Sequence, residues 1–207
     1  MIIGIAGRAM VGKDTFAKMI AEELNKEFYP PFLLMAFANE LKIKCQKDFD
    51  LDYEQLWGKE KESIDNRYKK LNEDSYWTGR EIMQAYGQFF RSIDYDFWVK
   101  FLFRLIEEKE YKNVIITDIR YKNEANAIKR NDGYLIKINR NVLKEIHGNN
   151  HVSETDLNNY NNFDFNIIND KSLDELKRTS IYVVSIIDKL NKNKNINLKG
   201  DLKNAWF

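Results

Sequence analysis

Gly7 and Gly12 have four residues between them near the start of the chain, and Lys13, Asp14 and Thr15 follow without a gap. Glycines let successive backbone N–H groups turn inward as an anion nest, and a helix starting there adds the partial positive charge of its N-terminus. Lys13 supplies a mobile point charge for the outer phosphates of a bound nucleotide. Where a Ser or Thr hydroxyl normally meets Mg²⁺ in such a loop, this chain has Asp14. A carboxylate beside phosphates is repelled unless a metal lies between them. Asp14 is therefore expected to act on Mg²⁺, directly or through a water, and Thr15 to donate to phosphate. The flanks suit this chemistry: residues 2–6 are an apolar run that reads as a buried strand, and Phe16, Ile20 and Leu24 form one stripe of a helix over 14–26. A glycine turn that merely joins strand to helix is the plain alternative, and Lys13 together with these flanks argues against it.

A second group of residues points to a second anion. Thr78-Gly-Arg-Glu81 is a capping-box pattern, so a helix starts there. At ~100° per residue, Arg80, Gln84, Gly87 and Arg91 fall on one narrow face, with Ile82, Tyr86, Phe89 and Ile93 opposite. The apolar side is expected to pack on the core. The other side presents two guanidinium groups and an amide past a glycine that leaves space for a ligand. Arginine suits phosphate because its fork binds two oxygens at once. A solvated basic face is the ordinary alternative, and Gln84 and Gly87 between the arginines favour a site.

Further along, residues 113–117 read as a buried strand that ends in Asp118-Ile-Arg120. In parallel α/β sheets, ligands gather at the carboxyl ends of strands. Asp118 there can hold Mg²⁺ through water or orient an attacking oxygen, and Arg120 can hold a transferring phosphate. Asp118 could also cap the following helix, a role compatible with the first. Arg140 opens a polar stretch, 140–162, that is expected to be a lid. Arg80, Arg91 and Arg120 exceed what one triphosphate already held by the loop needs, so they imply a second phosphate-bearing ligand. Transfer between two such ligands needs positioning, charge neutralisation and exclusion of water. The residues describe a small-molecule phosphotransferase.

The elements that must position these groups alternate. Strands are expected over 2–6, 32–37, 113–117, 134–138 and 163–168, all buried. Helices follow over 14–26, from 38, from 78, over 96–110 with Trp98 and Leu102 inward, over 123–130 closed by Gly133 at C′, and over 172–190 after a Ser172–Glu175 capping box. Such alternation predicts a three-layer α/β/α domain around a five-stranded parallel sheet. The expected organisation is one domain over 1–207. Within it, 38–95 is a helical acceptor-binding region, 46–78 is mobile and partly helical, and 140–162 is the lid. The polar tail from 191 ends in Trp206-Phe207, expected to dock on the body. Charges nearly cancel, 33 basic against 32 acidic, so no global field attracts nucleic acid. The lone Cys45 excludes a disulfide framework, and no run approaches the ~18 apolar residues of a membrane span, so a cytoplasmic location is expected.

Several separated segments agree with one family. They are Gly7-Arg-Ala-Met-Val-Gly-Lys-Asp-Thr15, Phe37-Ala-Asn-Glu-Leu-Lys42, Arg80-Glu-Ile-Met-Gln-Ala-Tyr-Gly87 with Arg91 and Trp98-Val99, Thr117-Asp-Ile-Arg120 with Glu124-Ala125, His151-Val-Ser-Glu154, and Ile168-Asn-Asp170. In these and in their order the chain resembles the bacteriophage deoxynucleoside monophosphate kinases, within the nucleoside monophosphate kinase group of P-loop proteins. The resemblance implies ATP and Mg²⁺ at Gly7, Gly12, Lys13, Asp14 and Thr15, with Asn169 also on the nucleotide. It implies a deoxynucleoside monophosphate (dNMP) on Lys42, Arg80, Gln84, Arg91 and Trp98, with His151 and Glu154 alongside. Asp118 and Arg120 would stand at the transfer point, Arg140 would come from the lid, and Asp14 and Asp118 would face the metal. The implied reaction moves the γ-phosphoryl of ATP to a dNMP, with no nucleic acid or membrane partner and a homodimer left open. Asn39-Glu40 stands where relatives often have an acidic residue and proline, which leaves base choice open. A kinase for dephospho-coenzyme A or phosphomevalonate would share loop and fold, and the Arg80 to Gly87 helix argues against it. A non-catalytic nucleotide-binding regulator is opposed by Lys13, Asp118 and Arg120 together, and nucleic-acid end phosphorylation by the balanced charge.

Overall fold

In the first strand, β1 (Ile2–Ala6), Ile3 and Ile5 are fully buried on one face, as alternate residues of a strand must be. The computed structural model describes residues 1–141 and 155–204, with side chains up to residue 193. The chain forms two compact units, one of Met1–Met35 with Tyr111–Phe207 and the other of Ala36–Glu110.

The first unit is an α/β sheet unit. β1 lies at the centre of five parallel strands in the order β2-β5-β1-β6-β7, with β2 at Leu33–Met35, β5 at Val114–Ile119, β6 at Tyr134–Asn139 and β7 at Phe165–Ile168. Ala6 pairs with Ile119 and Lys137, and Asn139 with Ile168, so β1, β5, β6 and β7 end along one edge. Helix α1 (Lys13–Leu24) and the last helix, α7 (Leu173–Asn204), share one face. Phe16, Ile20 and Leu24 pack there with Leu176, Val183 and Ile187 over Ile3, Ile5 and Ile136. Helix α6 (Lys122–Arg130) covers the other face, where Ile128 lies against Gly4. The three-layer arrangement expected from the alternation is therefore present.

Three local expectations need correction. Strand β2 covers only Leu33–Met35 at the sheet edge, with Leu33 and Leu34 exposed, because an edge strand has a neighbour on one side only. After α6 the left-handed residue is Asp132, with φ 54°. Gly133 serves a close approach instead: a Cβ there would come within 2.8 Å of the Ile2 carbonyl oxygen. The final helix continues past 190 to Asn204, so most of the polar tail is helical. Trp206 and Phe207 lie outside the described residues.

The second unit holds α2 (Phe37–Phe49), α3 (Tyr53–Leu56), a short 3₁₀ turn (Glu60–Glu62), an antiparallel pair β3 (Ile64–Lys69) and β4 (Tyr76–Thr78), α4 (Gly79–Ile93) and α5 (Phe97–Glu108). The 46–78 stretch thus contains a β-hairpin as well as the expected helix. Its core is Leu41, Cys45, Leu51, Leu56, Ile82 and Trp98, surrounded by Phe49, Tyr68, Trp77, Tyr86, Phe90 and Phe97. Burial pushes the Cys45 thiol up to about 12, so it is an inert packing group. The hairpin is tied down by Asp65, whose carboxylate takes both Nε and a terminal nitrogen of Arg67 at 2.9 and 2.7 Å and the Gln55 amide at 2.9 Å. The start of α4 follows the sequence rule: Thr78 Oγ1 accepts from Glu81 N, and Glu81 Oε2 accepts from Thr78 N. Its apolar face departs from expectation. Ile82 is buried, whereas Phe89 and Ile93 are 59% and 69% exposed, because the helix turns its Met83, Tyr86 and Phe90 side inward.

Candidate functional site

The loop between β1 and α1 is built by geometry that only glycine satisfies at its two ends. Gly12 has φ 96°, and a Cβ there would lie 2.6 Å from the Asn169 side-chain nitrogen. Gly7 has φ 154°, and a Cβ there would lie 2.4 Å from the Ile138 carbonyl oxygen. Helix α1 begins directly afterwards, with Phe16 N donating to Gly12 O. The N-terminus of a helix offers its first backbone N–H groups to an anion. Lys13 is only 8% exposed, and its Nζ donates to Arg8 O at 2.7 Å. The ammonium is folded onto its own loop, which meets the need of a buried charge for a partner. Asp14 and Thr15 are exposed on the first turn of the helix.

The same sheet edge collects the other expected groups of this unit. Asp118 lies near the end of β5, Arg120 one residue beyond it, Arg140 just after β6 and Asn169 just after β7. Asp118 and Arg120 are half-buried and Arg140 is exposed. Among the described residues no group of three or more His, Cys, Asp or Glu forms a metal cluster. Asp14 and Asp118 nevertheless suit Mg²⁺, which keeps several waters and is commonly held by one or two carboxylates plus substrate phosphates.

In the other unit, several of the expected acceptor residues rest against other side chains. The half-buried Arg80 donates through Nε to Glu62. Lys42 Nζ sits 5.5 Å from the centre of the Trp57 ring. Gln84 is half-buried on α4. Gly87 does not open a ligand space: a Cβ there would meet Leu41 at 2.7 Å and the Arg91 guanidinium at 3.2 Å, so its missing side chain lets α2 approach and Arg91 lie across. Trp98, expected at the substrate, is 3% exposed and donates its indole N–H to Gly87 O at 3.1 Å. With its only donor used it packs α5 on α4 rather than facing a ligand. His151 and Glu154 lie outside the described residues.

The sequence model of the deoxynucleotide monophosphate kinase family matches residues 32–180, which is most of the chain. The chain belongs to the deoxynucleotide monophosphate kinase family. It is also similar to a protein of Acanthamoeba polyphaga mimivirus, provisionally named a deoxynucleotide monophosphate kinase, with 28% identity over 92% of this chain and 100% of that one. Among solved structures it is similar to the dephospho-CoA kinase from Campylobacter jejuni, at 20% identity and TM-score 0.47 over 92% of this chain and 98% of that one. It is similar as well to the shikimate kinase from Aquifex aeolicus, at 16% identity and TM-score 0.42 over 94% and 98% of the two chains.

Two residues of this family member matter to the site and had no role from sequence: Glu124, named only within a matching segment, and Glu62. Glu124 is 2% exposed, and its carboxylate accepts from Arg120 N at 2.8 Å and Tyr121 N at 3.1 Å. It fixes the turn that carries Arg120. The signal was present, since an acid three residues into a helix reaches back to the preceding amides. Glu62, the partner of Arg80, gave no such signal, being 18 residues away in a segment without regular pattern.

Proposed function

We propose that this nucleotide kinase transfers the γ-phosphoryl group of ATP to a dNMP, giving dNDP and ADP. The observation that carries the proposal is the shared sheet edge, where a glycine loop with Lys13 stands in one unit with Asp118, Arg120 and Arg140. Such an edge suits phosphoryl transfer, in which positioning and charge stabilisation do most of the catalytic work. The loop amides and Lys13 hold the donor phosphates, with Lys13 exchanging Arg8 O for phosphate oxygen. Arg120 and Arg140 stabilise the charge on the transferring group. Asp14 and Asp118 would hold Mg²⁺, directly or through water, and the ion would supply neutralisation of phosphate charge. Asp118, itself an anion, would meet the phosphates only across that metal or its waters. On α4, Arg80 and Arg91 take the acceptor phosphate once Arg80 leaves Glu62, with Lys42 and Gln84 on the remainder of the dNMP.

A coupled ADP-release assay with ATP and Mg²⁺ tests this against dAMP, dGMP, dCMP, dTMP and the ribonucleotides. Turnover with at least one deoxynucleotide is the expected result. No turnover across the panel, in protein that binds ATP, would exclude the dNMP as acceptor.

A further inference from the structure

Asn169 is expected, by resemblance, to touch the nucleotide. The geometry points to a different role, and we propose that Asn169 is a positioning residue that sets the conformation of the phosphate loop from the end of β7. The inference rests on the phosphate-loop reading above and deepens it.

The Asn169 side-chain nitrogen Nδ2 donates to Val11 O at 2.9 Å. Its own backbone N–H donates to Asn139 O at 2.8 Å, which ties the residue to the end of β6. The amide lies so close over Gly12 that any Cβ at that position would fall 2.6 Å from Nδ2. The bond therefore joins the residue just after β7 to the Val11–Gly12 peptide of the loop.

A trans peptide is planar, and its C=O and N–H point in opposite directions. Holding Val11 O toward Asn169 therefore aims the Gly12 N–H to the other side of the loop. That N–H is one of the amides an anion nest uses. The other end of the loop is braced by the same strand pair, because the Ile138 carbonyl closes over Gly7. The loop is thus held at both ends by the β6–β7 side of the sheet. Only a donor performs the Asn169 half of this work, since the group it faces is a carbonyl. A residue of the same volume without a donor leaves the peptide free to rotate.

A contact to the adenine base and a brace on the loop make different predictions. A base contact matters only to ligands that carry a base. A brace matters to every ligand that carries the phosphates. The experiment compares Asn169→Ala and Asn169→Leu with the unaltered protein, using dissociation constants for Mg·ATP and for inorganic tripolyphosphate with Mg²⁺. Asn169→Leu keeps the volume beside Gly12, and thermal melting verifies that each variant is folded.

Both ligands are expected to weaken by the same factor, about 3- to 10-fold, the usual size for one lost hydrogen bond. The ATP KM should rise in step while the acceptor KM stays unchanged. Weaker ATP with unaltered tripolyphosphate would overturn the proposal and assign Asn169 to the base. Unaltered binding of both ligands would overturn it as well. Failure of the unaltered protein to bind either ligand would instead overturn the phosphate-loop reading on which the proposal rests.

Discussion

In the loop after β1, the groups that would meet a ligand are main-chain amides, and their placement is enforced by contacts already made: Ile138 O against Gly7, Asn169 against Gly12, Arg8 O on Lys13. On α4 and α2 the corresponding groups are the ends of long side chains, each resting on another residue: Arg80 on Glu62, Lys42 over Trp57, Arg91 across Gly87. Main chain held by packing loses little freedom when a phosphate arrives. A long side chain must leave one partner and be ordered on another, which costs rotamer entropy as well as the first contact. On the proposed function, the donor side is preorganised and the groups of the acceptor side must change partner. Changes to the first should therefore appear in turnover, and changes to the second in acceptor affinity.

The largest effect is expected at Lys13. Lys13→Ala removes the cation proposed to hold the donor phosphates and should lower kcat by about 10²–10³, the scale for losing a single group that stabilises transition-state charge. Its melting temperature should move little, because the ammonium is bonded to a carbonyl of its own loop. Turnover close to the unaltered protein in the ADP-release assay would remove the loop from the chemistry.

Arg80→Ala comes next. It should raise the acceptor KM by roughly 10- to 100-fold, the range for truncating one partner of a charge-assisted contact, with a smaller change in kcat. An unaltered acceptor KM would take α4 out of the site and leave its arginines as a solvated face. An equal fall in kcat would place Arg80 on the transferring group instead, and the division between the two regions would fail.

The same contrast explains what could be read from sequence. The strand, loop and helix over residues 2–24 were legible because every signal is local: an apolar run, two glycines, a lysine and one helical stripe. The Thr78 cap was legible because its two partners lie three residues apart. The hairpin at β3 and β4 was not. Its strand Ile64–Lys69 lacks apolar alternation, since it is held by Tyr68 packing and by Asp65 gripping Arg67 rather than by an apolar face. Burial on α4 was misjudged for a related reason. A wheel gives which residues share a side, while the side that turns inward is decided by Phe49, Phe97 and Trp98 from other elements. Gly87 was expected to leave space for a ligand, but Leu41 and Arg91 take that space, and which neighbours fill it is decided by packing.

A pH experiment sharpens the account of the acceptor unit. The Arg67 guanidinium beside Asp65 holds that carboxyl well below the ordinary aspartate range, with hydrogen bonds from Gln55 and the Arg67 N–H acting the same way against the effect of burial. A carboxyl that binds its proton more weakly when folded stabilises the fold fully above its unfolded pKa of about 3.9. That contribution is lost as pH falls from there through the lower folded value. The unaltered protein should therefore lose melting temperature below about pH 4 more steeply than Asp65→Asn. At pH 7 the variant should melt a few degrees lower, about 2–4 °C per kcal/mol for a chain of this size. Parallel acid limbs in the two proteins would show that Asp65 does not hold the hairpin.

The smallest expected effect tests the exchange directly. If Arg80 must leave Glu62 before it can take an acceptor phosphate, then weakening that pair favours binding. Glu62→Gln keeps the size and a hydrogen-bond acceptor but removes the charge. Because the two side chains are 36% and 66% exposed, the pair is well screened and its effect modest. The acceptor KM should fall about 2- to 5-fold, an effect that low salt enlarges and high salt suppresses. Arg80→Ala should erase the gain, because in its absence Glu62 has no cation to withhold. A rise in acceptor KM for Glu62→Gln would reverse the account: Glu62 would then be holding Arg80 in the orientation the ligand needs, and the acceptor side would be as preorganised as the loop.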